Sequence, residues 1–145
     1  MSAQSELILE WINKADHDLG SAKIIYLHLP DYFDTIAFHC QQAVEKYIKA
    51  ILVHRDIVFD RSHDLIYLLE LLPEAIHVTT EQFRKAASLS GLSVQIRYPN
   101  KTIYLTKEEL EEAIAISLEF RAFAMEQIGI NENGAGNSLE RLDKA

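Results

Sequence analysis

The stretch FHCQQAVEKYIKAILVHRD, residues 38–56, decides the fold. Together with Phe33 just ahead of it, Ala37, Cys40, Val44, Tyr47 and Ile51 recur every three or four positions, the period of one helical face. Ile36, Ala43, Ile48 and Ala50 widen that face far beyond the stripe of a surface helix, so this helix belongs at the centre of a bundle. Yet it also carries Gln41, Gln42, Glu45, Lys46 and Lys49, and polar groups on a central helix need partners.

Working outward, Leu7, Trp11, Ala15, Leu19, Ala22, Tyr26 and Leu29 trace an apolar stripe on a long helix that begins near Ser5 and stops at Pro30. Downstream, Ser62 is placed to cap a short helix carrying Leu65, Leu68, Leu69 and Leu72, ended by Pro73. Thr80 is placed to cap the next, which holds Phe83, Ala87 and Leu89 and is loosened by Gly91. RYPNKTIY, residues 97–104, reads as a loop because Pro99 biases Tyr98 away from helical backbone. Thr106 followed by Glu109 forms a capping box for a last long helix with Leu110, Ala113, Ile114, Ser117, Leu118, Ala124 and Ile128, ended by Gly129. No segment alternates as a strand and no internal repeat is present. The expected fold is all-α: an antiparallel up-and-down bundle of four long helices plus a short one over residues 1–130. Residues 131–145, polar and rich in Gly and Asn, are expected to form a flexible tail.

At 145 residues, with 48% hydrophobic and 25% charged content, the chain has the make-up of one globular domain. No apolar run approaches the roughly 20 residues needed to span a membrane, and the N-terminus lacks the pattern of a secretory signal. A cytoplasmic location is expected, in keeping with a single cysteine. The net charge of −8 argues against a protein that coats nucleic acid with its whole surface, but leaves room for a local basic patch.

Motifs of catalytic chemistry are scarce in the sequence. Cys40 lies on the apolar face with no cation one turn before it, so it reads as an inert buried thiol. There is no GxSxG and no glycine-rich phosphate loop. Glu74 and His77 have the Glu-x-x-His spacing of a di-iron bundle, but such a centre needs the motif twice. His17, His28 and His54 lack ligand spacing and read as surface or packing residues. Neither a metal nor a cofactor is expected.

Four blocks in order give the chain a resemblance to a known family: an early W…KA..DL..A, then AFHCQQAVEKYIKAIL, then HDL, then RYP. Over roughly residues 7–128 it resembles the prokaryotic HEPN domains. The resemblance implies an all-helical bundle that commonly pairs as a homodimer. It also implies a link to nucleotides or RNA, since many such proteins are encoded beside a minimal nucleotidyltransferase and some are ribonucleases.

In one respect the chain departs from the ribonuclease members. They carry an arginine followed by four to six residues and a histidine, the first suited to phosphate charge and the second to proton transfer. Here Arg97 is followed by YPNKTIY, and Arg55 and His63 stand too far apart. The expected role is therefore a non-catalytic binding module working with a nucleotidyltransferase partner in a toxin–antitoxin-like system. The alternatives are a ribonuclease toxin of the same fold and a helical scaffold without ligand.

For the polar residues of the opening stretch three readings stand open. In the first, Glu45 and Lys49 are an ordinary i,i+4 pair and Lys46 is solvated. In the second, Gln42, Lys46 and Lys49 form a ridge that, with His63 and the Arg97–Tyr98 block folded towards it, holds a phosphate or a partner's carboxylates. In the third, they are satisfied across a dimer seam. One expectation follows for the tail. Truncation after Ile130 leaves the melting temperature nearly unchanged in a thermal scan, whereas a drop of several degrees would show that the tail docks.

Overall fold

The helix predicted to be central, Phe33–His54, is buried along almost its entire length, with Ile36, Cys40, Ala43, Val44, Tyr47, Ile48 and Ile51 fully inaccessible. A computed structural model of the protein describes residues 1–95 and 105–130; Arg97, Tyr98 and the 131–145 tail lie outside the described residues. Its helices are α1 (Ala3–His28), α2 (Phe33–His54), α3 (Leu65–Glu70), α4 (Thr80–Gln95) and α5 (Lys107–Ile128), with a 3-10 turn at Glu74–Ile76 between α3 and α4. This is the expected four-helix bundle with its additional short helix. Among the described residues there is no strand, and no helix is long and apolar enough to cross a membrane.

Specific contacts give the topology. Gln4 at the start of α1 donates to the Val53 carbonyl and the Asp56 carboxylate at the end of α2, while Asp18 further along α1 meets His39 near the start of α2. These two helices are therefore antiparallel. The Tyr26 hydroxyl donates to Glu111 at 2.6 Å, and Arg121 reaches back to Asp16, so α5 is also antiparallel to α1 and runs parallel to α2. Ser117 ties α5 to α2 directly, its hydroxyl donating to the Cys40 carbonyl at 3.1 Å.

Several helix boundaries shift from their sequence positions, each for a local reason. The buried stripe of α1 is Ile8, Ile12, Ala15, Leu19 and Ala22, while Leu7 and Leu29 stay 44% and 46% exposed. Both phases satisfy the helical period at Ala15, Leu19 and Ala22, and the pairing with α2 selects between them. At α3 the cap is Asp64, whose carboxylate accepts the backbone N–H groups of Ile66 and Tyr67; Ser62 instead accepts from the Asp64 N–H. At α4 the cap is Thr79, one residue before the expected Thr80. Its hydroxyl accepts from the Gln82 N–H while the Gln82 side chain accepts from the Thr79 N–H. This helix continues through Gly91 to Gln95, and buries Ala86 in place of Ala87. Leu118 of α5 is partly exposed. The Thr106–Glu109 capping box and the left-handed Gly129 at the end of α5 form as expected.

A polar triad is buried inside the apolar core. The Tyr47 hydroxyl donates to Asp16 Oδ1 at 2.5 Å, and Arg121 Nε donates to the same oxygen at 3.1 Å. Asp16 Oδ2 and Arg121 Nη2 are buried without a protein partner. Burial pushes the Asp16 carboxyl above the usual carboxylate range against the pull of Tyr47 and Arg121, and burial together with Asp16 pushes the Tyr47 phenol up. Removing one member strands the others in low dielectric. Arg121→Met is expected to destabilise the fold by about 3–5 kcal/mol in urea titrations, because it leaves a buried carboxylate uncompensated. Cys40 is fully buried, and burial raises its thiol to about 12 against a hydrogen bond from Ser117. A thiol reagent at neutral pH should leave the native protein unlabelled and react only after unfolding.

Candidate functional site

The polar residues of α2 find their partners within the chain, in two adjoining arrangements of the same kind. In each, a carboxylate holds a lysine of α2 through one oxygen and the Nδ1 of a histidine through the other. Asp18 of α1 receives the Lys46 ammonium on Oδ2 and lies 2.8 Å from His39 Nδ1 through Oδ1. Glu45 of α2 receives Lys49 on Oε2 at 3.1 Å and lies 2.7 Å from His63 Nδ1 through Oε1.

Helical spacing explains why these groups meet. Gln41, Glu45 and Lys49 succeed one another every four residues, and His39, Gln42 and Lys46 line the neighbouring row. Antiparallel packing brings Trp11 and Asp18, two turns apart on α1, against them. Lys49 is nearly inaccessible, its ammonium 5.4 Å from the Trp11 ring centroid and 5.8 Å from that of Phe59. Two aromatic faces and one carboxylate thus compensate its desolvation. Gln41 donates to the His63 carbonyl at 3.1 Å and accepts from Gln42 at 3.0 Å, which ties the loop before α3 to α2.

Of the residues expected at the site, Gln42, Lys49 and His63 are joined through Gln41 and Glu45, and Lys46 stands one turn away on its own carboxylate. Arg97 and Tyr98 fall outside the described residues. The Glu45–Lys49 pair is an i,i+4 contact as expected, but a buried one, and Lys46 is paired and largely covered instead of solvated. Gln41, Gln42, Glu45, Lys46 and Lys49 all have partners within one chain, so their pairing requires no second copy.

Asp18, His39, Gln41 and Glu45 are site members that the sequence pattern did not single out as ligand-facing. Asp18 sits in the KA..DL block, and His39 two residues before Gln41, so the signal was present in position but not in spacing. Among the described residues no group of three or more His, Cys, Asp or Glu could hold a metal ion. Glu74 lies in the 3-10 turn and His77 is its left-handed cap, so these two do not share an α-helical face.

Both lysines carry a carboxylate, so the ridge is charge-compensated and not a bare cationic patch. Burial alone would raise the Asp18 carboxyl, but the hydrogen bonds of His39 and Lys46 and the Lys46 charge outweigh it and hold the group below the ordinary 3.8. Stability from this lowered value is present above 3.8 and is lost as pH falls through the folded value. Asp18→Asn should therefore cost about 1–3 kcal/mol near neutrality, and the gap from the unsubstituted protein should close in acid, as read from urea midpoints across pH.

Comparison with known proteins agrees with the sequence blocks. Residues 8–128 match the HEPN domain family. A protein of Methanocaldococcus jannaschii named "Putative toxin MJ1304" is 30% identical over 118 residues, covering 72% of this chain and 76% of that protein. The crystal structure of TT1696 from Thermus thermophilus superposes with a TM-score of 0.73 at 28% identity, over 83% of this chain and 97% of that one. ST0689, described as an archaeal HEPN homologue, shares the fold with a TM-score of 0.62 at 23% identity, over the same shares of the two chains.

Proposed function

The chain belongs to the HEPN domain family, and we propose that it serves there as a non-catalytic, nucleotide-associated binding module that pairs with a minimal nucleotidyltransferase in a toxin–antitoxin-like system. The observation that carries this reading is the convergence of Gln42, Lys46, Lys49 and His63 on one seam around a helix otherwise given to the core. Gln42 and Lys46, half-buried on that seam, are donors of the kind a phosphorylated ligand takes.

A missing element argues against RNA cleavage. Phosphodiester hydrolysis needs a cation for the developing phosphate charge and a group that moves the proton. Arg97 is the sequence candidate for the first need, but no histidine follows it at the ribonuclease spacing. The relative named as a toxin favours a second reading, a ribonuclease toxin of the same fold with His63 moving the proton. A homodimer fits both readings. Ile24, Leu27, Leu29, Tyr32 and Phe38, gathered around the α1–α2 turn, are each at least 39% exposed and supply apolar surface for a two-fold contact.

Calorimetry with nucleoside triphosphates should detect binding that Arg97→Ala weakens, while RNA incubated with the purified protein stays intact. Cleavage abolished by His63→Ala would establish the ribonuclease reading, and absence of both binding and cleavage would leave a scaffold. Light scattering at micromolar concentration should return twice the monomer mass; the monomer mass alone would refute the dimer.

A further inference from the structure

Glu45 and His63 are unusually matched in exposure. The Glu45 side chain is 3% exposed, yet the imidazole it holds is 74% exposed. A carboxylate taken out of water to fix a ring that remains in water does more than pack the core. Both its oxygens are engaged, Oε1 with His63 Nδ1 at 2.7 Å and Oε2 with Lys49 at 3.1 Å. Lys49 is in turn lodged between Trp11 and Phe59, and the main chain of His63 is held separately by Gln41. The ring is thus fixed through its side chain and its backbone, and its remaining nitrogen, Nε2, belongs to the exposed edge.

A carboxylate only accepts hydrogen bonds, so Nδ1 must carry the proton. A neutral imidazole has one such proton, which leaves Nε2 as a bare acceptor. We propose that Glu45 is a positioning residue that holds neutral His63 as the Nδ1–H tautomer, so that Nε2 accepts a hydrogen bond from a sugar hydroxyl of the bound nucleotide. The ligand half of this proposal rests on the nucleotide-binding reading above. A bare nitrogen lone pair repels phosphate oxygens and takes a donor. The sugar hydroxyls of a nucleotide are such donors, and its phosphates are not.

The tautomer is read by long-range nitrogen–proton NMR on the full chain at a pH where His63 is neutral. The expected pattern has Nδ1 protonated and Nε2 bare. Glu45→Gln should invert it. The Gln oxygen must turn to the donor-only Lys49, and the amide NH₂ then faces His63 Nδ1, which becomes the acceptor and moves the ring proton to Nε2. A contact that merely pins the loop would give no such inversion. A dominant Nε2–H form in the unsubstituted protein, or an unchanged tautomer in Glu45→Gln, overturns the positioning role.

The ligand half is tested with ATP and 2′,3′-dideoxy-ATP. The unsubstituted protein should bind the dideoxy compound about tenfold more weakly, the scale of one directed hydrogen bond. His63→Asn keeps a donor for Glu45 in the place of Nδ1 but has no Nε2, so it should fold normally and bind the two compounds alike. If His63→Asn still discriminates as the unsubstituted protein does, the sugar contact is wrong. Should neither compound bind the unsubstituted protein, the nucleotide-binding reading fails together with the sugar contact, and the NMR result alone then upholds or overturns the positioning role of Glu45.

Discussion

Burial of α2 on nearly every side is the constraint from which the rest of the structure follows. A helix in that position keeps a polar side chain only where a neighbour supplies its complement, since an unpaired buried charge costs several kcal/mol. Seven polar side chains of α2 meet that condition: His39, Gln41, Gln42, Glu45, Lys46, Tyr47 and Lys49. Each bond also sets geometry. The Lys46–Asp18 and Tyr47–Asp16 contacts fix how far α1 slides along α2, and Arg121 ties α5 to that same register. Apolar faces alone tolerate sliding by a turn; these directed contacts do not.

The bundle was legible in the sequence because helical periodicity and end signals are local. The broad face of α2, the Thr106–Glu109 box and the left-handed Gly129 are written within a few residues of where they act. What failed was phase and competition between near neighbours. Leu7 and Ile8 both fit the α1 period, Ser62 and Asp64 both suit a cap, and only contacts made across the fold choose between them. At the site, the α2 residues announced themselves as polar intruders on a core helix. Glu45 and His63 were visible among their partners, but Asp18 was not. Asp18 and Lys46 are 28 positions apart, and no periodicity links two residues on helices that meet only in three dimensions.

The family resemblance and the local chemistry point to different parts of the molecule. The ribonuclease pattern would place its acid–base pair after Arg97, where this chain has no histidine. Its well-held imidazoles are instead His39 and His63, each oriented by a carboxylate that also neutralises a lysine. The same bundle can therefore present a polar seam built from α1, α2 and the loop before α3, with its chemistry set by how carboxylates distribute protons and not by a linear motif.

Neutralising both lysines from within also shapes the field that the seam projects. A bare pair of ammonium groups would project a positive potential into solvent and draw anions from beyond contact range. Here Asp18 and Glu45 close those field lines inside the seam. What any approaching anion meets at long range is the overall charge of −8, which repels it until screening by salt shortens its reach to about 10 Å. A free polyanion would accordingly associate slowly and be accelerated by salt, the reverse of ordinary electrostatic steering. Under the proposed pairing with a nucleotidyltransferase, a phosphate would reach such a surface from the docked partner and not by diffusion through the repulsive field.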